Sequence, residues 1–221
     1  MRVGLTAGIS SGKSRFEERF RSIGYPIFDV DKVDFALRTG EVQLDTSDEI
    51  FGYGQIVKLV QKLSPRIIGQ LQYELPNLYD SNGRFVRTGL LQYINDDTSG
   101  GDNHQMYGKI MNPPFIEIYL QWLAIIGRPS VLSSGVLVER GNLSLIDSLY
   151  IIQISEEEQI RNLLEREQLR TNYISKSDAL KAVRRSYPTE KLVRLARLAL
   201  GEEKVHVIPH NADLETIVSI K

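Results

Sequence analysis

A glycine, a lysine and a serine at the end of a run of small residues are the part of this chain best suited to hold a phosphate. Ala7-Gly8-Ile9-Ser10-Ser11-Gly12-Lys13-Ser14 matches the pattern G-x-x-x-x-G-K-[ST] at every fixed position but the first. Small residues let successive backbone N–H groups turn toward an anion, and a helix starting at the loop's end adds positive potential. In such a loop Lys13 reaches the β- and γ-phosphates of a nucleoside triphosphate, and the Ser14 hydroxyl is placed on Mg²⁺. A nucleoside triphosphate and Mg²⁺ are therefore the expected ligands. Ala7 stands where the pattern has glycine. Alanine disfavours positive φ, so this position is expected at a backbone angle that tolerates a methyl group.

Two carboxylates come next. Tyr25-Pro26-Ile27-Phe28-Asp29-Val30-Asp31 reads as a strand ending in acids, and open α/β sheets bind ligands at the carboxyl ends of their strands. Asp29 and Asp31 alternate with apolar neighbours, which predicts both near the mouth of the phosphate loop. The competing use is capping of a helix over Lys32–Leu37, and it fits Asp31 better than Asp29. Farther on, the basic stretch Arg161 to Arg197 also has two readings. One is a solvated helical face. The other is a lid whose arginines close over phosphates, where charge develops during phosphoryl transfer. Arg161 and Arg166 share one helix, and Arg184 and Arg185 the next, around a turn at Thr171–Ser177.

The elements that must position these residues follow from pattern. Val3 to Thr6 reads as a short buried strand, and the helix after the loop carries Phe16, Phe20 and Ile23 on one face before Gly24 stops it. Between residues 38 and 128 the alternation loosens. Ile50 to Leu63 has helical spacing, and Ser64-Pro65 begins a second helix that runs to Leu75. A flexible loop is expected over Asp96–Asn103, and Asn112-Pro113-Pro114 is expected to break the chain before a helix over Phe115–Ile126. This region reads as a helical insertion. Strand-like runs return at Ser130–Val138 and Ser148–Ser155, three helices follow within 156–200, and Lys204–Pro209 is a last strand before a closing helix over 213–220. Strands alternating with helices predict a parallel sheet, here of five strands, in a doubly wound α/β sandwich.

Composition narrows the class. The 221 residues are 42% hydrophobic and 25% charged with a net charge of −1, so no electrostatic footprint for nucleic acid or anionic membrane is present. The chain has no cysteine, which removes disulfides and thiolate metal sites, and no stretch approaches the length of a membrane span. A cytoplasmic protein without a membrane or nucleic-acid partner is expected, as a monomer or weak homo-oligomer.

The series of motifs resembles the dephospho-CoA kinases over nearly the whole chain and in the same order. Val3 to Ser14 resembles their G-L-T-G-G-I-G-S-G-K-S opening, and Pro26 to Asp31 their strand ending in D-A-D. Asn82 to Arg87 resembles their D-G-x-L-D-R turn, Ile110 to Pro113 their I-x-H-P, and Leu137-Val138-Glu139 the end of D-x-P-L-L-F-E. Val183 to Lys191 resembles R-I-x-x-Q-M-P-x-x-x-K, and His210-Asn211 with Asp213-Leu214-Glu215 their final N-x-G-x-L-E. The resemblance implies a three-layer P-loop kinase sandwich. Its core would be residues 1–37 and 129–221, its helical acceptor-binding insertion 38–128, and its helical lid about 157–188. The implied reaction is transfer of the ATP γ-phosphoryl group to the 3′-hydroxyl of dephospho-CoA. The resemblance assigns Asp29 as the base, Arg161 and Arg166 to the lid, Asp31 and Arg87 to the acceptor, and His210-Asn211 to the adenine of ATP.

This chain departs from the pattern at Ala7 and Ser10, which replace loop glycines, and at Val86, Asn112 and Ser186, which replace Asp, His and Gln. Ser133-Ser134-Gly135 replaces Asp-x-Pro, so the third strand is expected to lack an acidic, rigid site wall. Two alternatives follow. One is a (deoxy)nucleoside monophosphate kinase that grips its acceptor with Lys58, Lys62, Arg66 or Arg84. The other is a non-catalytic nucleotide-binding protein, against which Lys13, Ser14 and Asp29 argue. A dinucleotide-binding oxidoreductase is set aside, because no G-x-G-x-x-G is present.

Overall fold

The computed structural model of the chain describes residues 1–43, 52–86, 90, 102–169, 174–185 and 187–212. Arg87, Arg170, Ser186, positions 96–101 and the expected closing helix over 213–220 lie outside them. The described residues divide into two compact units, Met1–Phe28 with Pro129–Lys221, and Asp29–Arg128.

The first unit is built on a sheet with strand order β2-β3-β1-β4-β5. β1 (Arg2–Ala7) lies at its centre, buried from Val3 onward. It pairs in parallel with β3 (Ser130–Ser133) along one edge and with β4 (Ser148–Gln153) along the other, so that Leu5 faces both Ser133 and Tyr150. β4 pairs in parallel with β5 (Val205–Pro209), and β2 (Ile27–Asp29) lies beside β3. Strands covered on both faces read as continuous apolar runs, which is the pattern of β1 and β4. Gly4 in mid-strand has a packing reason. A Cβ there would come within 2.4 Å of Ile146 Cδ1 and 2.8 Å of Leu149 Cδ1.

After the phosphate loop, α1 (Lys13–Ser22) buries Phe16 and Phe20 in one core with Val3, Leu5, Val131, Tyr150, Ile152 and Ile208. α5 (Glu156–Leu169) and α6 (Lys176–Arg185) pack as a hairpin through Ile160, Leu163, Ala179 and Val183. Both open on a serine cap, with Ser155 exchanging bonds with Glu158 and Ser175 with Asp178. α7 (Thr189–Leu200) packs on β4 and β5.

In the second unit α3 (Tyr53–Glu74) packs against both α2 (Val30–Thr39) and α4 (Asp102–Ile126). Here the structure corrects the expected boundaries. α3 runs through Ser64-Pro65 without a break, and α4 runs through Asn112-Pro113-Pro114. An interior proline costs about 3 kcal/mol. Ile56, Val60, Ile67 and Leu71 on α3 are buried, as are Met111, Phe115, Ile118, Tyr119 and Trp122 on α4. At about 1.5–3 kcal/mol per buried large apolar side chain, this burial outweighs the lost backbone bonds. A charged group is buried in the same unit. Arg38 donates to Asp34 and to the Tyr107 hydroxyl and lies over the Phe85 ring, so its burial is compensated.

Three strands also end earlier than expected, β4 among them at Gln153 in place of Ser155. β3 stops at Ser133, and a turn follows in place of a strand running to Val138. β2 stops at Asp29, and helix begins at Val30. The cap of α2 is consequently Asp29 and not Asp31. Its Oδ1 accepts from the backbone N–H of Asp31 at 3.1 Å and of Lys32 at 3.2 Å. A capping side chain accepts from residues two and three positions ahead, and only Asp29 has that offset from the first free N–H groups.

The turn from β1 into α1 needs a left-handed residue, and Gly12 supplies it at φ +76°. A Cβ at Gly12 would meet nothing within 4 Å. Gly12→Ala is therefore expected to lose about 1–2 kcal/mol from backbone conformation alone. Urea unfolding followed by circular dichroism measures this, and an unchanged midpoint would refute the requirement.

Candidate phosphate-binding site

The loop between β1 and α1 places its residues as the lysine and serine spacing predicts. Ala7 ends β1, buried, and is absent from the residues with positive φ, so its methyl group is accommodated. The unusual backbone angle falls on Ser10, the only non-glycine residue with positive φ among those described, at +56°. The Ser11 hydroxyl donates to the Gly8 carbonyl at 2.5 Å and closes the loop on itself. Ser14, in the first turn of α1, is exposed.

Lys13 is less exposed, and its surroundings hold a residue that sequence reasoning missed. Its Nζ donates to Glu17 Oε1 at 2.8 Å and to Ser133 Oγ at 2.8 Å, while Ser133 Oγ donates to the same Glu17 oxygen at 2.5 Å. Glu17 is only 4% exposed. Burial alone would raise its carboxyl pKa, but the Lys13 charge and the hydrogen bonds from Lys13 and Ser133 outweigh it and hold the group below the ordinary carboxylate range. The third strand carries no acid of its own, as its sequence predicts, but an acid stands against it. Ser133 itself is neutral, and the acid comes from α1. The available signal was a glutamate four residues after the loop lysine, on the apolar side of α1 between Phe16 and Phe20.

α5 holds the loop from the other side. Asn162 Nδ2 donates to the Ser10 carbonyl at 3.2 Å, and Ile9 packs against the apolar seam of the α5–α6 hairpin. A Cβ on Gly8 would sit 3.0 Å from Gln159 Nε2, so the Gln159 side-chain amide packs directly against this glycine. A cavity of about 670 Å³ opens beside Gly8, with Gln159, Tyr187, His210 and Asn211 among its lining residues. His210 Nε2 lies 3.5 Å from Glu158 Oε1. The structure thus brings the phosphate loop, the expected lid helix and His210-Asn211 together in one unit.

Arg161 pairs with Glu158 at 3.7 Å and Arg166 with Glu167 at 3.1 Å, and neither guanidinium is hydrogen-bonded to the loop among the described residues. Asp29 and Asp31 belong to the second unit, at the start of α2, where Asp29 Oδ2 lies 3.8 Å from Lys32 Nζ. Among the described residues no group of three or more His, Cys, Asp or Glu is placed to cage a metal. The oxygen donors next to the loop are hard, the Ser14 and Ser133 hydroxyls and the Glu17 carboxylate. That set suits Mg²⁺, which keeps most of its waters and binds through substrate phosphates and one or two protein oxygens.

No helix among the described residues is long and apolar enough to cross a membrane. In fold, the chain is similar to TT1252 from Thermus thermophilus, with a TM-score of 0.69 at 18% identity, covering 99% of this chain and 94% of that one. It is also similar to dephospho-CoA kinase from Campylobacter jejuni, with a TM-score of 0.50 at 14% identity, covering 99% and 92%. In sequence it is 26% identical to dephospho-CoA kinase of Carboxydothermus hydrogenoformans over 205 residues, 90% of this chain and 84% of that protein. It is 23% identical to dephospho-CoA kinase of Streptococcus pyogenes over 219 residues, 99% of this chain and 93% of that protein. The family model for dephospho-CoA kinase matches residues 1–205. With its five-stranded α/β core and this match along almost its full length, the chain belongs to the dephospho-CoA kinase family of ATP-dependent kinases.

Proposed function

We propose that this chain transfers the γ-phosphoryl group of ATP to the ribose 3′-hydroxyl of dephospho-CoA, in the cytoplasm. The observation that carries the reading is the phosphate loop opening beside the cavity shared by Gly8, His210 and Asn211. A triphosphate lying along residues 8–14 would have its nucleoside end in that cavity, with His210 and Asn211 beside the base. The loop N–H groups and Lys13 neutralise the β- and γ-phosphates as charge develops on them. The Ser14 hydroxyl would hold Mg²⁺, which would supply positive charge against that of the phosphates. Family membership supports dephospho-CoA as acceptor.

Asp29 is the base for the acceptor hydroxyl in this reading, Asp31 and Arg87 hold the acceptor, and Arg161 or Arg166 reaches the transferring phosphoryl group from the lid. Capping does not conflict with proton acceptance. The backbone N–H groups of Asp31 and Lys32 both bond to Oδ1, and fixing one oxygen orients the other. The helical unit of residues 29–128 is the acceptor-binding part, and the α5–α6 hairpin the lid.

Purified protein with MgATP and one acceptor at a time, followed by ADP release, tests the reading. Turnover is expected with dephospho-CoA and not with (deoxy)nucleoside monophosphates. Turnover only with a monophosphate would transfer the assignment to that substrate class, and silence with all of them would leave a nucleotide-binding protein. Lys13→Ala is expected to abolish turnover and weaken ATP binding with the circular dichroism spectrum unchanged; wild-type turnover in it would refute the phosphate-loop role. Asn caps a helix as well as Asp does. Asp29→Asn should therefore keep the melting temperature and ATP affinity while losing about 10²-fold or more in turnover. Full activity in that variant would make Asp29 a capping residue only.

A further inference from the structure

The Lys13–Glu17–Ser133 network raises a question of charge that the reading above does not use. Among the described residues the buried Glu17 carboxylate is hydrogen-bonded to one cation, Lys13, and to one neutral donor, Ser133, with the Arg21 charge acting on it more weakly. A phosphate on the loop draws Lys13 toward itself. That leaves a buried carboxylate without its directly paired cation and sets a second anion beside it, and buried charge is costly unless paired. A triphosphate arriving alone would meet both penalties. A triphosphate arriving with a divalent cation would meet neither, because the cation replaces the charge that Lys13 gives up.

We propose that Glu17 makes this site select the divalent cation–triphosphate complex over the free triphosphate: Lys13 passes from Glu17 to the phosphates, and the cation, through its water shell, becomes the counter-charge of Glu17. Ser133 is a positioning residue for that carboxylate. Its hydroxyl gives one hydrogen to Glu17 and accepts one from Lys13, so it holds both in register from β3. Three features fit this arrangement: the acid is buried, it lies one helical turn from the loop lysine, and its strand partner is a short hydroxyl that carries no charge of its own. The inference rests on residues 7–14 being a triphosphate site.

Calorimetric binding of ATP, once with Mg²⁺ and once with EDTA, tests it without reading turnover. In the wild-type protein Mg²⁺ is expected to tighten ATP binding by at least about tenfold, within the usual range of coupling between two ligands. Glu17→Gln keeps the shape and the Ser133 contact but not the charge. In that variant the ratio should fall at least about threefold below the wild-type value, the Ser14 contribution remaining, with metal-free ATP binding more tightly than in the wild type. Ser133→Ala leaves the charge in place and should keep most of the ratio. An unchanged ratio in Glu17→Gln overturns the proposal while leaving the phosphate site intact. Failure of the wild type to bind ATP under either condition overturns both.

Thermal melting supplies a second arm should Glu17→Gln fold poorly. Removing the lysine exposes the carboxylate to other cations, so Mg²⁺ alone should raise the melting temperature of Lys13→Ala and not that of the wild-type protein. A Lys13→Ala variant indifferent to Mg²⁺ contradicts the proposal.

Discussion

The position of Ala7 is fixed from both sides. β1 is hydrogen-bonded to β3 along one edge and to β4 along the other, and its buried residues have no room to slide. Whatever follows Ala7 starts from a point the sheet has already set. α1 is anchored as firmly, with Phe16 and Phe20 in the core shared by β1, β4 and β5. Between these two fixed ends, residues 8–12 must turn, and left-handed angles at Ser10 and Gly12 are how they do so. The backbone N–H groups of the loop are therefore oriented before any ligand arrives. Preorganised dipoles of this kind stabilise developing charge without reorganising during the reaction.

A loop held only at its ends would still have freedom in its middle. α5 removes it by packing Gln159 against Gly8, donating from Asn162 to the Ser10 carbonyl and covering Ile9. The same helix begins at a cap, Ser155 with Glu158, and Glu158 lies 3.5 Å from His210 at the end of β5. The phosphate loop and the last strand are thus coupled through α5, which has a distinct contact with each. A change in the α5–α6 hairpin would be felt at the loop carbonyls first.

The second unit shows the reverse balance, with local backbone rules overridden by burial. Pro65, Pro113 and Pro114 all lie inside helices. Each removes a backbone donor, yet the residues around them face a core that includes Tyr119 and Trp122 with no solvent exposure. Arg38 is buried beside Asp34 and Tyr107, and their partnership raises its pKa despite the opposing effect of desolvation. A helical unit that spends backbone hydrogen bonds on side-chain packing keeps its shape through tertiary contacts, not through helix propensity.

Much of this was legible in the sequence because the signals were local. The strand, loop and helix of residues 3–22 could be read from apolar spacing and one Gly-Lys-Ser triplet, and the five strands from their runs of β-formers. The family followed from motifs in order, and the comparisons agree with it. Proline misled the reading of α3 and α4, because a breaker reports a backbone preference and says nothing of the side chains whose burial overrides it. The cap moved from Asp31 to Asp29 because β2 stops two residues before the apolar alternation does. Glu17 was invisible as a partner of Ser133 for a different reason. The two residues are 116 positions apart, and only the pairing of β3 with β1 brings that hydroxyl to the turn of α1 that carries the carboxylate. The residue types were written in the chain, and the sheet order decided which of them meet.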